Sequence, residues 1–459
     1  MSFQPESAIL ELGGDFYDPV AAATFPEHRL RFRNDRAAAS VGLDGLSEAD
    51  WIAHFGRFEP LSGSLQTPLA LRYHGHQFRV YNPDIGDGRG FLFAQMRDAH
   101  GRLLDLGTKG SGQTPWSRFG DGRLTLKGGV REVLATEMLD ALGVETSKTL
   151  SLIETGEDLD RNDEPSPTRS AVMVRLSHSP IRIGIFQRLA YLKQPENLLK
   201  LTAYVVRHYA PDADADDPVA ALMDYAVTNG ARQAAGYMAA GFVHGVLNTD
   251  NIVVTGESFD YGPYRFAPSW DPTFTAAYFD HSGLYAFGRQ AEALHWNLHQ
   301  LALSLRTVAE STSIVPAFQD YPARFEAALR RAILARLAVH PRGEQADLAL
   351  LAAMESALTA TQIPLDRFWF DWRGGALRNT SPAAATYALP AFQPFAEAVA
   401  AYTPAMSLTH RYWADPEPCG LLIAEIESIW SAIATQNDWQ PFQTKIAAIR
   451  RMGDAMRSG

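Results

Sequence analysis

One cysteine, Cys419, is present in 459 residues. That excludes an intrachain disulfide and fits a reducing compartment. No stretch reaches the roughly 18 uninterrupted apolar residues of a membrane helix, so no membrane partner is expected. The opening MSFQPESAILELGGDFYDP has no basic segment leading into an apolar core. No secretory signal is read from it, and a cytoplasmic location is expected. Basic residues are in deficit, 41 against 52 acidic, for a net charge of −11. This disfavours nucleic acid as a partner, because such binding depends on neutralising phosphates with Lys and Arg. Two nucleotide signatures are also missing. No GxxxxGK[ST] occurs, and no GxGxxG opens a helix, so neither a Walker A loop nor a Rossmann fingerprint is present.

What is there suits a globular protein. The apolar fraction is 46%, and nine Trp with 24 Phe can fill a substantial core. The length allows two or three lobes. Two acidic runs, Glu157–Glu164 and Asp212–Asp217, have no apolar periodicity and are read as solvated loops. They lack the glycine and terminal glutamate of an EF-hand.

Texture changes along the chain. The first 60 or so residues mix short apolar stretches with turns and are read as an extension packed on the body. From Thr67 to about Gln187, FRVYNP, FLFAQM, LLDLGTK, SLIET and AVMVRLS are strand-like runs split by Gly, Asp and Asn turns. Between them, GGVREVLATEMLDALGV has apolar residues at helical spacing and is expected to stop at Gly143. From Pro195 onward the pattern is helical. It is interrupted by GFVHGVLNTDNIVVTGESFDYGPYRF, read as a loop with two short strands, and the last 75 residues are Ala-rich and mostly helical. The pattern predicts an α+β protein, a mixed β-plus-helix lobe followed by a helical lobe. The divisions are residues 1–60, 61–194, 195–385 and 386–459.

Several segments carry residues suited to chemistry. Gly86-Asp87-Gly88-Arg89-Gly90 lies between strand-like runs, as a hairpin tip would. Glycines there permit positive φ and a close approach of backbone N–H groups to phosphate, although a plain turn has the same letters. Gly120-Asp121-Gly122-Arg123 repeats four of them. Lys109 ends another strand-like run amid Gly and Ser, and Glu132 follows at the start of the predicted helix. That is the order of the strand lysine and helix glutamate that position ATP in kinases; Glu137, about one turn on, is the alternative partner. His74 and His76 form an H-x-H pair with no third ligand nearby, too little for zinc. Cys419 is read as an ordinary thiol.

The most informative stretch is His244-Gly-Val-Leu-Asn-Thr-Asp250-Asn251, followed by Phe259-Asp260-Tyr261-Gly262. A kinase catalytic loop reads H-x-D-x-x-x-x-N and is followed by D-F-G. His244 and Asn251 keep that spacing, and Asp260-Tyr261-Gly262 stands for D-F-G. Val246 occupies the place of the base and cannot accept a proton. A carboxylate appears instead at Asp250. Asp250, Asn251 and Asp260 offer oxygen ligands of the kind Mg2+ or Mn2+ prefers.

The chain resembles the selenoprotein O family. The resemblance rests on GHQF at Gly75–Phe78, GDGR at Gly86–Arg89, KGSGQTPWSRFGDGR at Lys109–Arg123, NTDN at Asn248–Asn251, FDYGPY at Phe259–Tyr264, DHSGLYAFGRQ, and WNL at Trp296–Leu298. These strings run from about Leu69 to Leu305. The resemblance implies a protein-kinase-like (pseudokinase) fold with a β-containing N-lobe, a helical C-lobe and terminal extensions. It also implies ATP bound in a flipped orientation and AMP transfer to protein hydroxyls. By position, Gly86, Gly88 and Arg89 match the nucleotide-binding loop, Lys109 the phosphate-contacting lysine, and Asp121 with Gly122 a second nucleotide-contacting turn. Arg175 and Arg182 match two phosphate-binding arginines, Asp250 the proton acceptor, and Asn251 with Asp260 the metal ligands, Asp260 also touching the nucleotide. The physical logic agrees, because a pyrophosphate leaving group needs several cations around it.

Departures are specific. Relatives commonly read SIRE where this chain has Gly129-Val130-Arg131-Glu132. After Leu305 the match fades, and the family's Cys- or selenocysteine-bearing tail is replaced by RMGDAMRSG. Redox control through such a tail is therefore not carried over. The expected activity is AMP transfer from metal–ATP to Ser, Thr or Tyr hydroxyls of proteins. Alternatives are UMP transfer from UTP, phosphoryl transfer with Asp250 replacing the lost base, and a catalytically silent ATP-binding scaffold.

Overall fold

The strand-like runs pair, all antiparallel, into a nine-stranded sheet in a computed structural model that describes residues 2–162, 164–213 and 216–458. In chain order the strands are β1 (Pro5–Glu6), β2 (Tyr17–Pro19), β3 (Arg29–Arg33), β4 (Leu69–Leu71), β5 (Gly75–Gln77) and β6 (Val80–Asn82). Then come β7 (Leu92–Arg97), β8 (Leu103–Lys109), β9 (Leu124–Thr125), β10 (Lys148–Leu159), β11 (Thr168–Ser177), β12 (Phe242–Val243) and β13 (Arg265–Phe266). The sheet runs β2-β4-β7-β8-β11-β10-β3, with β1 beside β7 and β9 beside β11. The protein is α+β.

Some local expectations change. Three strands from the first 60 residues, β1, β2 and β3, belong to the sheet itself. β3 reads RLRFR and buries Phe32 while its arginines stay accessible, the alternation of a half-buried strand. Of FRVYNP only Val80–Asn82 is strand, and it pairs with β5 in a separate two-stranded ribbon. Because β6 does not pair with β7, the Gly86–Gly90 loop is not a hairpin tip. Gly86 instead bridges to Arg72.

The helix carrying Glu132 spans Leu126–Ala141, with Thr125 Oγ1 accepting from Gly128 N at 3.1 Å as its N-cap. Val130, Val133, Leu134, Met138 and Leu139 are all fully buried, and Gly143, at φ +78°, follows its end. Gly129 lets this helix close on Leu152, where a Cβ would collide with a methyl group; that is the packing context of the departure from SIRE.

The helical half centres on Pro218–Ala240, started by Asp217, whose Oδ1 accepts from Ala220 N at 3.0 Å, and ended by Gly241 at φ +66°. The acidic runs are thus not wholly loops. Asp217 is a helix cap, and Glu157 lies within β10, where its carboxylate pairs with Arg123 at 2.9 Å. Asp163, Asp214 and Ala215 of those runs lie outside the described residues. Near the C-terminus the helix Gln440–Arg457 packs on the Glu132 helix, with Gly453 against Ala141 and Arg450 Nε 2.7 Å from Glu137 Oε2. Glu137 is therefore engaged from outside and does not pair with Lys109. Among the described residues, no helix is long and apolar enough to cross a membrane.

Candidate active site

Antiparallel register places the first basic groups. Lys109 ends β8, and Arg175 on β11 stands opposite Gly107. Lys109 and Arg175, two residues offset across the pair, therefore share one face of the sheet. Lys109 Nζ is bonded to Glu132 Oε1 and lies 2.7 Å from Asp260 Oδ1. Arg175 Nη1 sits 3.5 Å from Glu132 Oε2 without a hydrogen bond. Glu132, not Glu137, is the partner of Lys109.

Arg182 is the N-cap residue of the helix Ile183–Tyr191. It reaches Asp87 Oδ1 at 3.0 Å, the Tyr73 hydroxyl at 2.7 Å and the Asp250 carbonyl at 3.3 Å. The Phe259 ring lies under both arginines, 4.4 Å from the Arg175 guanidinium and 4.8 Å from that of Arg182. Burial pushes the Asp87 carboxyl up, against the pull of Arg182.

The segment that holds His244, Asp250 and Asp260 is closed by β12 pairing with β13. His244 is fully buried: its N–H donates to Gln290 Oε1 at 3.0 Å and its Nε2 lies 2.9 Å from the Phe259 carbonyl. It is an anchor that ties the loop's start to the residue before Asp260. Residues Thr249–Asn251 form a 3-10 turn. Asp250 is buried, its Oδ2 accepting from Gln77 Nε2 at 3.2 Å while its Oδ1 has no partner. Burial lifts its carboxyl to about 6, against Arg182 and Gln77, close to the range suited to proton transfer at neutral pH. Asp260 has φ +58°, a left-handed conformation that Asp tolerates better than most residues. Burial alone would raise its carboxyl, but Lys109, Arg175 and Arg182 hold it well below the usual range.

These groups meet in a cleft of about 650 Å³. Its basic lining is Arg89, Lys109, Arg118, Arg123, Arg161, Arg175 and Arg182, against Asp87, Asp121, Asp160, Asp250 and Asp260. In a chain of net charge −11, this local cationic bias, with buried Arg175 Nε and Nη1 and Arg182 Nε lacking acceptors, points to an anionic ligand. Gly86, Gly88, Asp121 and Gly122 line the same cleft. Gly86 and Gly88 do not take positive φ. They are glycines because Trp116 and its carbonyl pack against them, where a Cβ would come within 2.5 and 2.9 Å. Gly122, at φ +70°, presses on the Gly112 backbone. Asp121 pairs with Arg161 at 2.8 Å.

Asn251 does not line the cleft, and its Nδ2 donates to the Val246 carbonyl at 3.0 Å, which leaves Oδ1 as the end able to accept or ligate. Among the described residues, no group of three His, Cys, Asp or Glu is placed to hold a metal by itself. An oxygen pair such as Asn251 and Asp260 suits Mg2+ or Mn2+ when substrate phosphates complete the shell. His74 and His76 are spoken for, by Tyr81 OH at 2.8 Å and Gln187 Nε2 at 2.7 Å.

The family model described as protein adenylyltransferase SelO matches residues 1–450. The chain belongs to the SelO family. A relative from Synechocystis sp., named protein nucleotidyltransferase YdiU, is 44% identical, covering 97% of each chain. One of the same name from Gloeobacter violaceus is 44% identical over 97% of this chain and 95% of its own. A Vibrio cholerae relative, again so named, is 36% identical over 77% of this chain. The SelO-family strings from GHQF to FDYGPY converge on the cleft: Gln77, Gly86–Arg89, Lys109, Asp121, Asp250 and Asp260 all line it. Sequence reasoning passed over Tyr73, Asp87, Trp116 and Arg161 there. Asp87 and Trp116 lie inside motifs whose neighbours are candidates, Arg161 lies in the acidic run read as a solvated loop, and Tyr73 carries no local signal.

Proposed function

We propose that the chain is a protein adenylyltransferase, joining AMP from ATP to a Ser, Thr or Tyr hydroxyl of a protein and releasing pyrophosphate. The observation that carries this reading is the buried Asp250 carboxylate, its Oδ1 without a protein partner, lining the same cleft as Lys109, Arg175 and Arg182. A proton acceptor there shares the cleft with a cluster of cations suited to a pyrophosphate leaving group.

In this reading Asp250 takes the acceptor hydroxyl's proton as the hydroxyl oxygen bonds to the α-phosphorus. The bond from that phosphorus to the bridging oxygen breaks, and Lys109, Arg175 and Arg182 neutralise the departing pyrophosphate, with Arg89 in the same lining. Asp121 and Gly122 shape the nucleotide side, and Gly86 and Gly88 admit the loop that covers it. Glu132 orients Lys109. Asn251 and Asp260 would hold Mg2+ or Mn2+, which when bound polarises the phosphates. The arrangement is read as kinase-like, with residues 61–194 as N-lobe, its sheet completed by β1, β2 and β3 from residues 1–60, 195–385 as C-lobe, and 386–459 as an extension. Support comes from the Lys109–Glu132 pair and from the ribbon-closed loop bearing Asp250.

Asp250→Asn tests the assignment. It should retain ATP-dependent thermal stabilisation and lose label transfer from α-labelled ATP; full transfer by that variant would remove Asp250 from the reaction.

A further inference from the structure

The residues of GHQF, Gly75–Phe78, begin the β5–β6 ribbon, in which Gly75 faces Asn82 and Gln77 faces Val80. The two turn residues, Phe78 at φ +50° and Arg79 at φ +64°, are both left-handed and neither is glycine. Such a two-residue turn favours Asn-Gly, and strained backbone of this kind persists only where its surroundings over-determine it.

Here the surroundings are the catalytic turn. His76 N donates to Thr249 Oγ1 at 2.7 Å, Gln77 Nε2 to Asp250 Oδ2 at 3.2 Å, and Phe78 N to Asn248 Oδ1 at 3.0 Å. Three consecutive ribbon residues each hold a different side chain of the turn. Asn82 Nδ2 donates to Gln77 Oε1 at 3.1 Å. That bond fixes which end of the Gln77 amide faces Asp250, because the oxygen is already engaged by a donor. Asn82 is in turn held by Asp84 N, which donates to its Oδ1 at 2.9 Å.

We propose that Gln77 is a positioning residue for the transfer reaction, holding the Asp250 carboxylate in one orientation at the cleft through its Oδ2. The proposal rests on the reading of Asp250 as proton acceptor. A carboxylate's terminal torsion is broad and roughly two-fold, so burial alone does not select an orientation, whereas one bonded oxygen does. The ribbon's own attachment runs through the backbone N–H groups of His76 and Phe78, which a substitution at Gln77 leaves in place. Gln77 is therefore separable from the clamp that carries it.

The test uses Gln77→Leu, which keeps the bulk and removes the donor, and Asn82→Asp, which touches Asp250 nowhere. An aspartate at 82 keeps the acceptor for Asp84 N but cannot donate to Gln77. The Gln77 NH2 is then contested by two carboxylates, at 82 and 250, and its hold on Asp250 is weakened. Both variants should lower kcat for AMP transfer by about 10- to 100-fold, the scale of a misplacement of about 1 Å, with KM for ATP within about twofold of wild type. An unchanged kcat in Gln77→Leu would overturn the proposal. So would a raised KM for ATP at constant kcat, which would make Gln77 a nucleotide contact. If Gln77→Leu fails to fold, Gln77→Glu, which keeps the length and the Asn82 contact, carries the same expectation. A crystal structure of Gln77→Leu separates this proposal from the reading beneath it. Should the wild type transfer no label, AMP transfer falls; a rotated Asp250 carboxylate in the variant would still support the positioning role, and an unmoved one would overturn it.

Discussion

Lys109 Nζ lies 2.7 Å from Asp260 Oδ1 while also bonded to Glu132, so one buried lysine joins the end of a sheet strand, a helix and the segment after the catalytic turn. A buried ion cluster is weak evidence of stability, because desolvation offsets much of the attraction; its position in the cleft gives it a functional reading. Lys109→Ala should abolish label transfer, by at least about 100-fold. The fold should survive, since Arg175, 3.5 Å from Glu132, remains to neutralise that carboxylate. Circular dichroism and transfer assays on the same preparation check both halves. Asp260→Ala should behave alike in transfer.

Gly122→Ala should weaken ATP binding more than it weakens the fold. The residue sits at φ +70°, and a Cβ there meets the Gly112 and Gln113 backbone, which cannot swing aside. The loop that lines the cleft would have to move. Calorimetric titration with ATP would show the lower affinity; wild-type affinity would mean that the loop does not contact nucleotide.

Arg450→Ala should cost about 1–3 kcal/mol in denaturant-derived stability. Arg450 donates from Nε and Nη2 to Glu137, at 2.7 and 2.8 Å, and also reaches Asn34 Oδ1. Its loss leaves a nearly buried carboxylate with a single donor, Asn34 Nδ2 at 3.1 Å. Equal stability of variant and wild type would show that the C-terminal helix does not brace the Glu132 helix.

Asp105 predicts a pH dependence. It is fully buried on β8, bonded to Gln95 Nε2 at 2.7 Å with Oδ2 unpartnered, and burial lifts its carboxyl from 3.8 to about 8. A raised folded-state value means its contribution is whole below the unfolded value and is lost as pH rises through about 8. Asp105→Asn keeps the acceptor for Gln95 and removes the charge. Urea midpoints measured at several pH values should fall more steeply toward alkaline pH in the wild type than in the variant. Parallel curves would contradict this.

Much of this is legible in the sequence. The Glu132 helix announced itself by its period and by Gly143, and the strand runs by short apolar stretches between turns. Order along the chain narrows the partner of Lys109 to Glu132 or Glu137, and the ion pairs decide for Glu132. The partner of Glu137 is not legible there, because Arg450 lies in a C-terminal helix whose docking no local pattern encodes. The Gly86 and Gly88 requirement comes not from backbone freedom but from Trp116, a contact between loops that no local pattern encodes. Gln77 was visible only as a letter in a motif, and its bond to Asp250 depends on a ribbon set apart from the main sheet.

The most direct test of the central claim is label transfer from ATP carrying its label at the α- or, separately, at the γ-phosphate, with Mg2+ or Mn2+ and the purified protein. Label retained on protein only from the α-position is the predicted result. Label retained only from the γ-position would contradict it and make the chain a phosphoryl-transferring kinase despite Val246.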